Sequence, residues 1–215
     1  MSRLSLTGAV AFVAAPILAA VGVLVSTTMS DDAATQVAAF ADHRGAMIGA
    51  AVLQTVAIFL FVGGIVWLAA AVAPRARGLA FTGGVLGVIG SLVILFEDGI
   101  TATVSSVVGA LDPARATTVV DRIHSSTAAG LEPISLLQAI GCLILAVAAV
   151  RMGVPRWAAA LFAIGGFVDT AGFAAGSKAV VVIGFAVLLA GLLPLVRTFA
   201  GREPTALPAP QPASS

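Results

Sequence analysis

Charged residues are scarce in this chain of 215 residues: they make up 10% of it, whereas 60% of its residues are hydrophobic. A soluble domain has about 25% charged residues. A water-soluble fold of this length could not bury so much apolar side-chain surface, but a lipid bilayer solvates it. The composition therefore excludes an ordinary soluble domain and indicates an integral membrane protein.

Cysteine and histidine are nearly absent as well. The single cysteine, Cys142, excludes an intrachain disulfide and a cysteine-based zinc cluster. The two histidines, His43 and His124, fall in different predicted loops and form no His-x-x-His pattern. The chain also lacks a G-x-S-x-G nucleophile motif and a glycine-rich phosphate loop. No motif indicates a cofactor, and the arginines are dispersed, so no nucleic-acid partner is predicted.

Six long apolar stretches are present, each close to or above the roughly 20 residues that an α-helix needs to cross the hydrocarbon of a bilayer. They do not alternate in polarity, which excludes barrel strands. The sequence predicts an all-α six-helix transmembrane bundle over residues 1–199 and a disordered cytoplasmic tail over 200–215. The predicted spans are residues 5–27, 46–72, 79–98, 130–150, 157–176 and 179–196.

Basic and acidic residues are segregated between the two ends of these spans. Seven of the eleven basic residues fall on one side, and nine of the ten acidic residues fall on or near the other. Because lysine and arginine accumulate in cytoplasmic loops, the arginine-rich side is predicted to be cytoplasmic. Both termini would then be cytoplasmic and the membrane would be the plasma (inner) membrane. The seven basic residues are Arg3, Arg75, Arg77, Arg151, Arg156, Arg197 and Arg202.

The two longer connections on the acidic side carry signals for short amphipathic helices. In residues 28–45, the Ser-Asp-Asp run that ends at Asp32 is typical of a helix start, and apolar residues follow at helical spacing. In residues 99–129, Asp112 suits an N-cap and Pro113 suits the first helical position. We therefore expect one short helix in each outer loop.

Glycines four residues apart are predicted to let the helices approach closely, because lipid supplies little hydrophobic force between helices. The predicted packing pairs are Gly83 with Gly87 and Gly172 with Gly176. Static packing is the simpler interpretation of these pairs, and a moving helix pair is the functional alternative.

Acidic residues near the outer leaflet form the predicted site. Asp169 is the deepest of them, about 12 residues and roughly 18 Å from Trp157 along a helix. A charge at that depth costs about 3 kcal/mol or more, so Asp169 is expected to face the bundle and to have a partner or a proton. The predicted polar cavity comprises Glu97, Asp98, Glu132, Asp169, Gln54 and Gln138.

Three functions remain open from the sequence. The first is a non-enzymatic membrane protein, binding or structural, with the lipid bilayer and an unidentified protein or lipid as partners. The second is a small transporter or channel for a proton, a cation or a small solute that uses Asp169 and the outer acids. The third is a metal-dependent membrane hydrolase, for which the metal ligands would be His43, His124, Glu97 and Glu132. The simplest interpretation of the outer acids is hydrated or ion-paired carboxylates at the interface.

The connection Arg151-Met152-Gly153-Val154-Pro155-Arg156-Trp157 is followed by a glycine-rich span that carries Phe167-Val168-Asp169. This short basic loop with a proline, followed by a glycine-rich helix ending in an aliphatic residue and Asp, resembles the corresponding hairpin of a family of six-span bacterial membrane proteins of unknown function. The Ala/Gly/Val/Arg bias is similar to that of actinobacterial proteins. The resemblance implies an integral membrane location and no particular activity.

Overall fold

Five α-helices make up the described part of the chain. The computed structural model describes residues 3–30 and 32–200, apart from the side chains of 3–5, 98, 101–102, 126–132 and 200. The helices are α1 (Arg3–Val25), α2 (Ala33–Ala110), α3 (Pro113–Arg151), α4 (Arg156–Ala174) and α5 (Lys178–Ala200). The described ranges contain no strand, so the predicted all-α class is confirmed. Of the tail predicted over 200–215, residue 200 ends α5 and residues 201–215 lie outside the described residues.

All five helices contain a segment long and apolar enough to cross a membrane, judged by length and composition. Their surfaces carry large apolar side chains that water would not favour. Phe81 is 73% exposed, Leu24 is 64% exposed and Phe59 is 60% exposed. These surfaces are consistent with a protein that spans a lipid bilayer.

The long helix α2 is divided by two residues with non-helical backbone angles, His43 and Ala76. We name its sections α2a (33–42), α2b (44–75) and α2c (77–110). A Cβ placed on Gly84 of α2c would lie 3.1 Å from the Cβ of Ala69 in α2b. In a straight helix those residues would be about 22 Å apart. The chain therefore folds back at Ala76, where Pro74 has removed a backbone donor from the preceding turn.

The helices form a ring in which each packs on two neighbours, in the order α1, α2, α3, α4, α5 and back to α1. Glycines permit the close approaches. A Cβ on Gly83 would lie 3.1 Å from the Gly141 carbonyl oxygen of α3, and one on Gly172 would lie 2.7 Å from a side-chain carbon of Val181 in α5. Gly87 contacts Ile65 of α2b in the same way.

Gly176 is the second glycine of the predicted pair Gly172 and Gly176. It lies in the turn between α4 and α5, its φ is +61°, and the nearest atom to a Cβ placed there is 3.6 Å away. It therefore supplies a left-handed residue that ends α4, as glycine commonly does after a helix, and does not pack α4 against a neighbour.

Two apolar cores occupy opposite ends of the bundle. The first lies at the end that carries the exposed side chains of Arg75, Arg151 and Arg197, which we call the arginine end. The second lies at the other end, the cap end, where α2a, the last turns of α2c and the start of α3 bring together Phe40, Val104 and other apolar side chains. The members of the second core are Ala33, Val37, Phe40, Met47, Val104, Ala116 and Val120.

The predicted starts of the two outer helices are confirmed, but the second helix is not a short, separate one. Asp32 caps α2a and Asp112 caps α3, each by accepting a hydrogen bond from the backbone N–H three residues later. However, α2c continues to Ala110, and α3 continues from Pro113 through Pro133 to Arg151 without a break. Residues 99–129 are therefore a helical hairpin that extends the predicted spans 79–98 and 130–150. Burial of Ala116 and Val120 in the second core stabilises this extension.

Candidate ligand-binding cavity

A cavity of about 630 Å³ lies between the two apolar cores. All five helices contribute to its wall, which includes Phe61 and Leu188 of the first core and Phe40 and Met47 of the second. Most of the lining residues are apolar. The polar ones are Ser26, Thr28, Ser30, Gln36, Gln54, Ser91, Glu97, His124, Ser135, Gln138, Asp169 and Thr170.

Asp169 is the most deeply buried acid described in this wall, with 6% of its surface exposed. It lies 13 residues after Arg156, the first residue of α4, which corresponds to about 20 Å along the helix. Its Oδ1 accepts a hydrogen bond from the Thr170 backbone N–H at 2.6 Å, and the Thr170 hydroxyl lies 3.3 Å away. Among the described residues, no donor reaches Oδ2.

Gly184 of α5 lets α5 approach α4 closely at Asp169. A Cβ on Gly184 would lie 2.7 Å from the Cα and 2.9 Å from the Cβ of Asp169. Any larger residue at position 184 would push α5 away from α4 at the level of the acid. In the sequence, Gly184 is recognisable as a small residue within the mostly aliphatic predicted span 179–196. No sequence pattern, however, linked this glycine to Asp169.

The structure brings four of the six predicted cavity residues to one cavity. Glu97 and Gln54 of α2 line it, as do Gln138 of α3 and Asp169 of α4. The remaining two, Asp98 and Glu132, belong to α2c and α3, but their side chains lie outside the described residues.

Two amide oxygens in the cavity wall are buried and have no hydrogen-bond partner in the described part of the chain. They are Oε1 of Gln138 and Oε1 of Gln36. The Gln36 amide nitrogen donates to the Ser30 carbonyl oxygen at 2.9 Å, which leaves its oxygen directed elsewhere. A buried acceptor without a donor costs about 1–3 kcal/mol, so both oxygens require a donor from outside the described chain.

The two histidines have different surroundings. His124 lines the cavity, whereas His43 is exposed at the junction of α2a and α2b and does not line it. Among the described residues, no three His, Cys, Asp or Glu side chains form a group that could hold a metal ion.

Aromatic rings form part of the apolar wall beside Asp169. Phe173 of α4 and Phe185 of α5 pack edge to face, with ring centroids 6.4 Å apart. Both line the cavity, together with Phe40 and Phe61. The faces of such rings carry partial negative charge and attract cations. Sequence reasoning had missed these phenylalanines, because apolar residues in a span carry no signal of which ones border a cavity.

The segment after α1 covers the cavity at the cap end. Ser26, Thr28 and Ser30 belong to this segment and line the cavity. Lys178, at the start of α5, donates a hydrogen bond to the Ser26 carbonyl oxygen. This lysine therefore ties the covering segment to α5, and among the described residues no ion pair joins it to Asp169.

Comparison with known proteins found no matching family model, no matching curated protein and no matching solved structure. The resemblance to a six-span bacterial family therefore stays a prediction.

Proposed function

We propose that this protein is a non-enzymatic, multi-pass membrane protein that binds a small amphiphilic molecule in the cavity. The observation that carries this proposal is one cavity that contacts every helix and combines an apolar wall with the buried carboxylate of Asp169. Its volume of about 630 Å³ lies within the range of pockets that enclose drug-sized ligands. Such pockets are mostly apolar and carry a few polar groups that orient the ligand.

The proposed arrangement in the membrane has six crossings, with both termini in the cytoplasm of a bacterium and the cap end outside. The antiparallel contact of α2b with α2c supports counting α2 as two spans. The exposed arginines at one end of the bundle support the orientation, because basic residues are retained in the cytoplasm. The cavity then lies in the half of the bundle nearer the outer leaflet of the plasma membrane.

Thiol labelling at two adjacent positions of α2b tests whether the cavity admits a solute. Ile58 is half-buried and lines the cavity, whereas Phe59 is 60% exposed on the outer surface of the bundle. Both lie about 27 Å from Ala76 along the helix. In a chain with Cys142→Ala, we expect ionised methanethiosulfonates to modify Ile58→Cys and to leave Phe59→Cys unmodified, because these reagents need water. Equal, slow modification of both thiols would contradict the proposal.

A transporter that uses Asp169 is the second candidate, favoured by the position of this acid in a cavity shared with Glu97. Transport requires that the first apolar core open, because it fills the bundle between the cavity and the arginine end. Proteoliposomes loaded with a pH-sensitive dye distinguish the two functions: solute-driven proton movement that Asp169→Asn abolishes indicates transport, and a binding protein gives none.

A further inference from the structure

The unsatisfied polar atoms of the cavity are acceptors. Oδ2 of Asp169 and the amide oxygens of Gln138 and Gln36 have no donor among the described residues. An occupant that completes these hydrogen bonds must therefore supply N–H or O–H donors. A ligand that is itself rich in acceptors would leave these oxygens unsatisfied, which is unfavourable for buried acceptors.

The charge of the wall favours the same class of ligand. Asp169 and Glu97 line the cavity, and the described lining residues include no lysine or arginine. A carboxylate in an apolar surrounding gains most from a cation that is enclosed with it, because attraction between charges strengthens as water is excluded. The rings of Phe173 and Phe185 add faces that attract a cation.

Resting on the proposed binding function, we propose that the occupant is an amphiphilic ammonium ion with at least one N–H group. The ammonium group donates to the Asp169 carboxylate, with the amide oxygens of Gln138 and Gln36 as further acceptors. The hydrocarbon part lies against the phenylalanines and alanines of the wall. The ligand must have donor groups, a positive charge and an apolar body. These requirements exclude fatty acids, phosphate esters and hydrophilic sugars as the main ligand.

Protection of the Ile58→Cys thiol from labelling measures occupancy in the full chain reconstituted in nanodiscs. Three probes share a ten-carbon chain: decylammonium, decyltrimethylammonium, which has the charge but no N–H group, and decanesulfonate, which has the opposite charge. We expect saturable protection by decylammonium, protection at least about tenfold weaker by decyltrimethylammonium, and none by decanesulfonate. We also expect a cationic methanethiosulfonate to react faster than an anionic one.

Matched variants assign the effect to the cavity acid. Asp169→Asn should weaken protection by decylammonium at least about tenfold and reduce the preference for the cationic reagent. Asp121→Asn removes the same charge from an exposed position outside the cavity and should change neither value. Gln138→Leu is the second variant: it removes an acceptor without changing charge and should reduce the advantage of decylammonium over decyltrimethylammonium.

The outcomes separate this inference from the function on which it rests. If Ile58→Cys is labelled, two results would overturn the ammonium ligand and leave a binding cavity. One is stronger protection by decanesulfonate than by decylammonium. The other is equal protection by all three probes, both with Asp169 in place and in Asp169→Asn. Absence of labelling at Ile58→Cys with every reagent would overturn both.

Discussion

Single glycines determine how closely α2c and α3 approach each other. Gly141 of α3 faces Gly83 and Gly87 of α2c, and a Cβ on Gly141 would lie 2.6 Å from the Gly87 Cα and 2.7 Å from the Gly83 carbonyl oxygen. Real Cβ atoms do not approach backbone atoms that closely, so a methyl group at position 141 must push the two helices apart.

Gly141→Ala is therefore expected to destabilise the bundle by about 1–3 kcal/mol, the usual cost of overpacking a close contact. Gly63→Ala is the matched control, because Gly63 is exposed in α2b and a Cβ there has no neighbour within 4 Å. Since alanine favours a helix over glycine by up to about 1 kcal/mol, this control should be neutral or stabilising. Unfolding in mixed micelles with increasing dodecyl sulfate measures the stability of both variants. Equal losses of stability in the two variants would contradict the close contact at Gly141.

Depth along a helix was sufficient to single out Asp169 from the sequence. The spacing from the arginine end predicted an acid within the hydrocarbon zone that faces the bundle, and the side chain is indeed buried and lines a cavity. What lies around it could not be predicted. The approach of Gly184 and the ring of Phe173 depend on how α4 packs on α5, and periodicity within one span carries no information about its partner.

At the scale of elements, the cap end depends on local capping. Oδ2 of Asp32 accepts hydrogen bonds from the Thr35 hydroxyl at 2.7 Å and from the Thr35 backbone N–H at 2.8 Å. These two bonds, the hydroxyl first, lower the pKa of Asp32 below its ordinary value of 3.8. Since the bonds exist in the folded helix, they favour the ionised carboxylate and α2a together.

The stability of α2a should consequently depend on pH at the acidic end. A carboxyl group with a lowered folded-state pKa stabilises the fold above its unfolded pKa, and this contribution is lost as pH falls through the lower, folded value. We expect amide hydrogen exchange in residues 33–42, corrected for intrinsic rates, to show constant protection above about pH 5 and decreasing protection below about pH 4. Asp32→Ala should lower protection about fivefold at neutral pH.

Thr35→Ala provides the control for this prediction, because it removes the hydroxyl that lowers the pKa most and retains the backbone donor. Thr35→Ala should reduce the loss of protection at acidic pH without eliminating it. An unchanged pH profile in Thr35→Ala, or no acid effect in the original chain, would show that the cap does not control α2a.

The start of a helix could be predicted from the sequence, but how far the helix continues could not. Asp112 and Pro113 identified the start of α3 from the sequence alone, because an N-cap acid and a first-turn proline act locally. No pattern in the sequence indicated that α3 would continue through Pro133 into the predicted span 130–150. That continuity depends on burial of Ala116 and Val120 in the second core, where they join Val37 and Phe40 of α2a, a section distant in sequence.

For the whole molecule, the charged residues and the apolar cores both distinguish the arginine end of the bundle from the cap end. The arginine end is closed by the larger apolar core, the cap end by the smaller one, and the cavity lies between them. Arginines in the tight turns at Ala76 and Gly153 need no role beyond orientation. The acids of the other half are not required by that rule, and Asp169 and Glu97 among them border the cavity.

The orientation can be tested on intact cells with cysteines at opposite ends of the bundle. Ala114 is exposed near the tip of the cap hairpin, and Gly78 is exposed beside the turn at the arginine end with open space around its Cα. Neither substitution alters a charge, so the distribution of basic residues that sets orientation is preserved. In a Cys142→Ala chain, a membrane-impermeant maleimide should label Ala114→Cys on intact cells and Gly78→Cys only after permeabilisation. The reverse pattern would place the cap end and the cavity on the cytoplasmic side, and labelling of both on intact cells would contradict a membrane crossing by α2c.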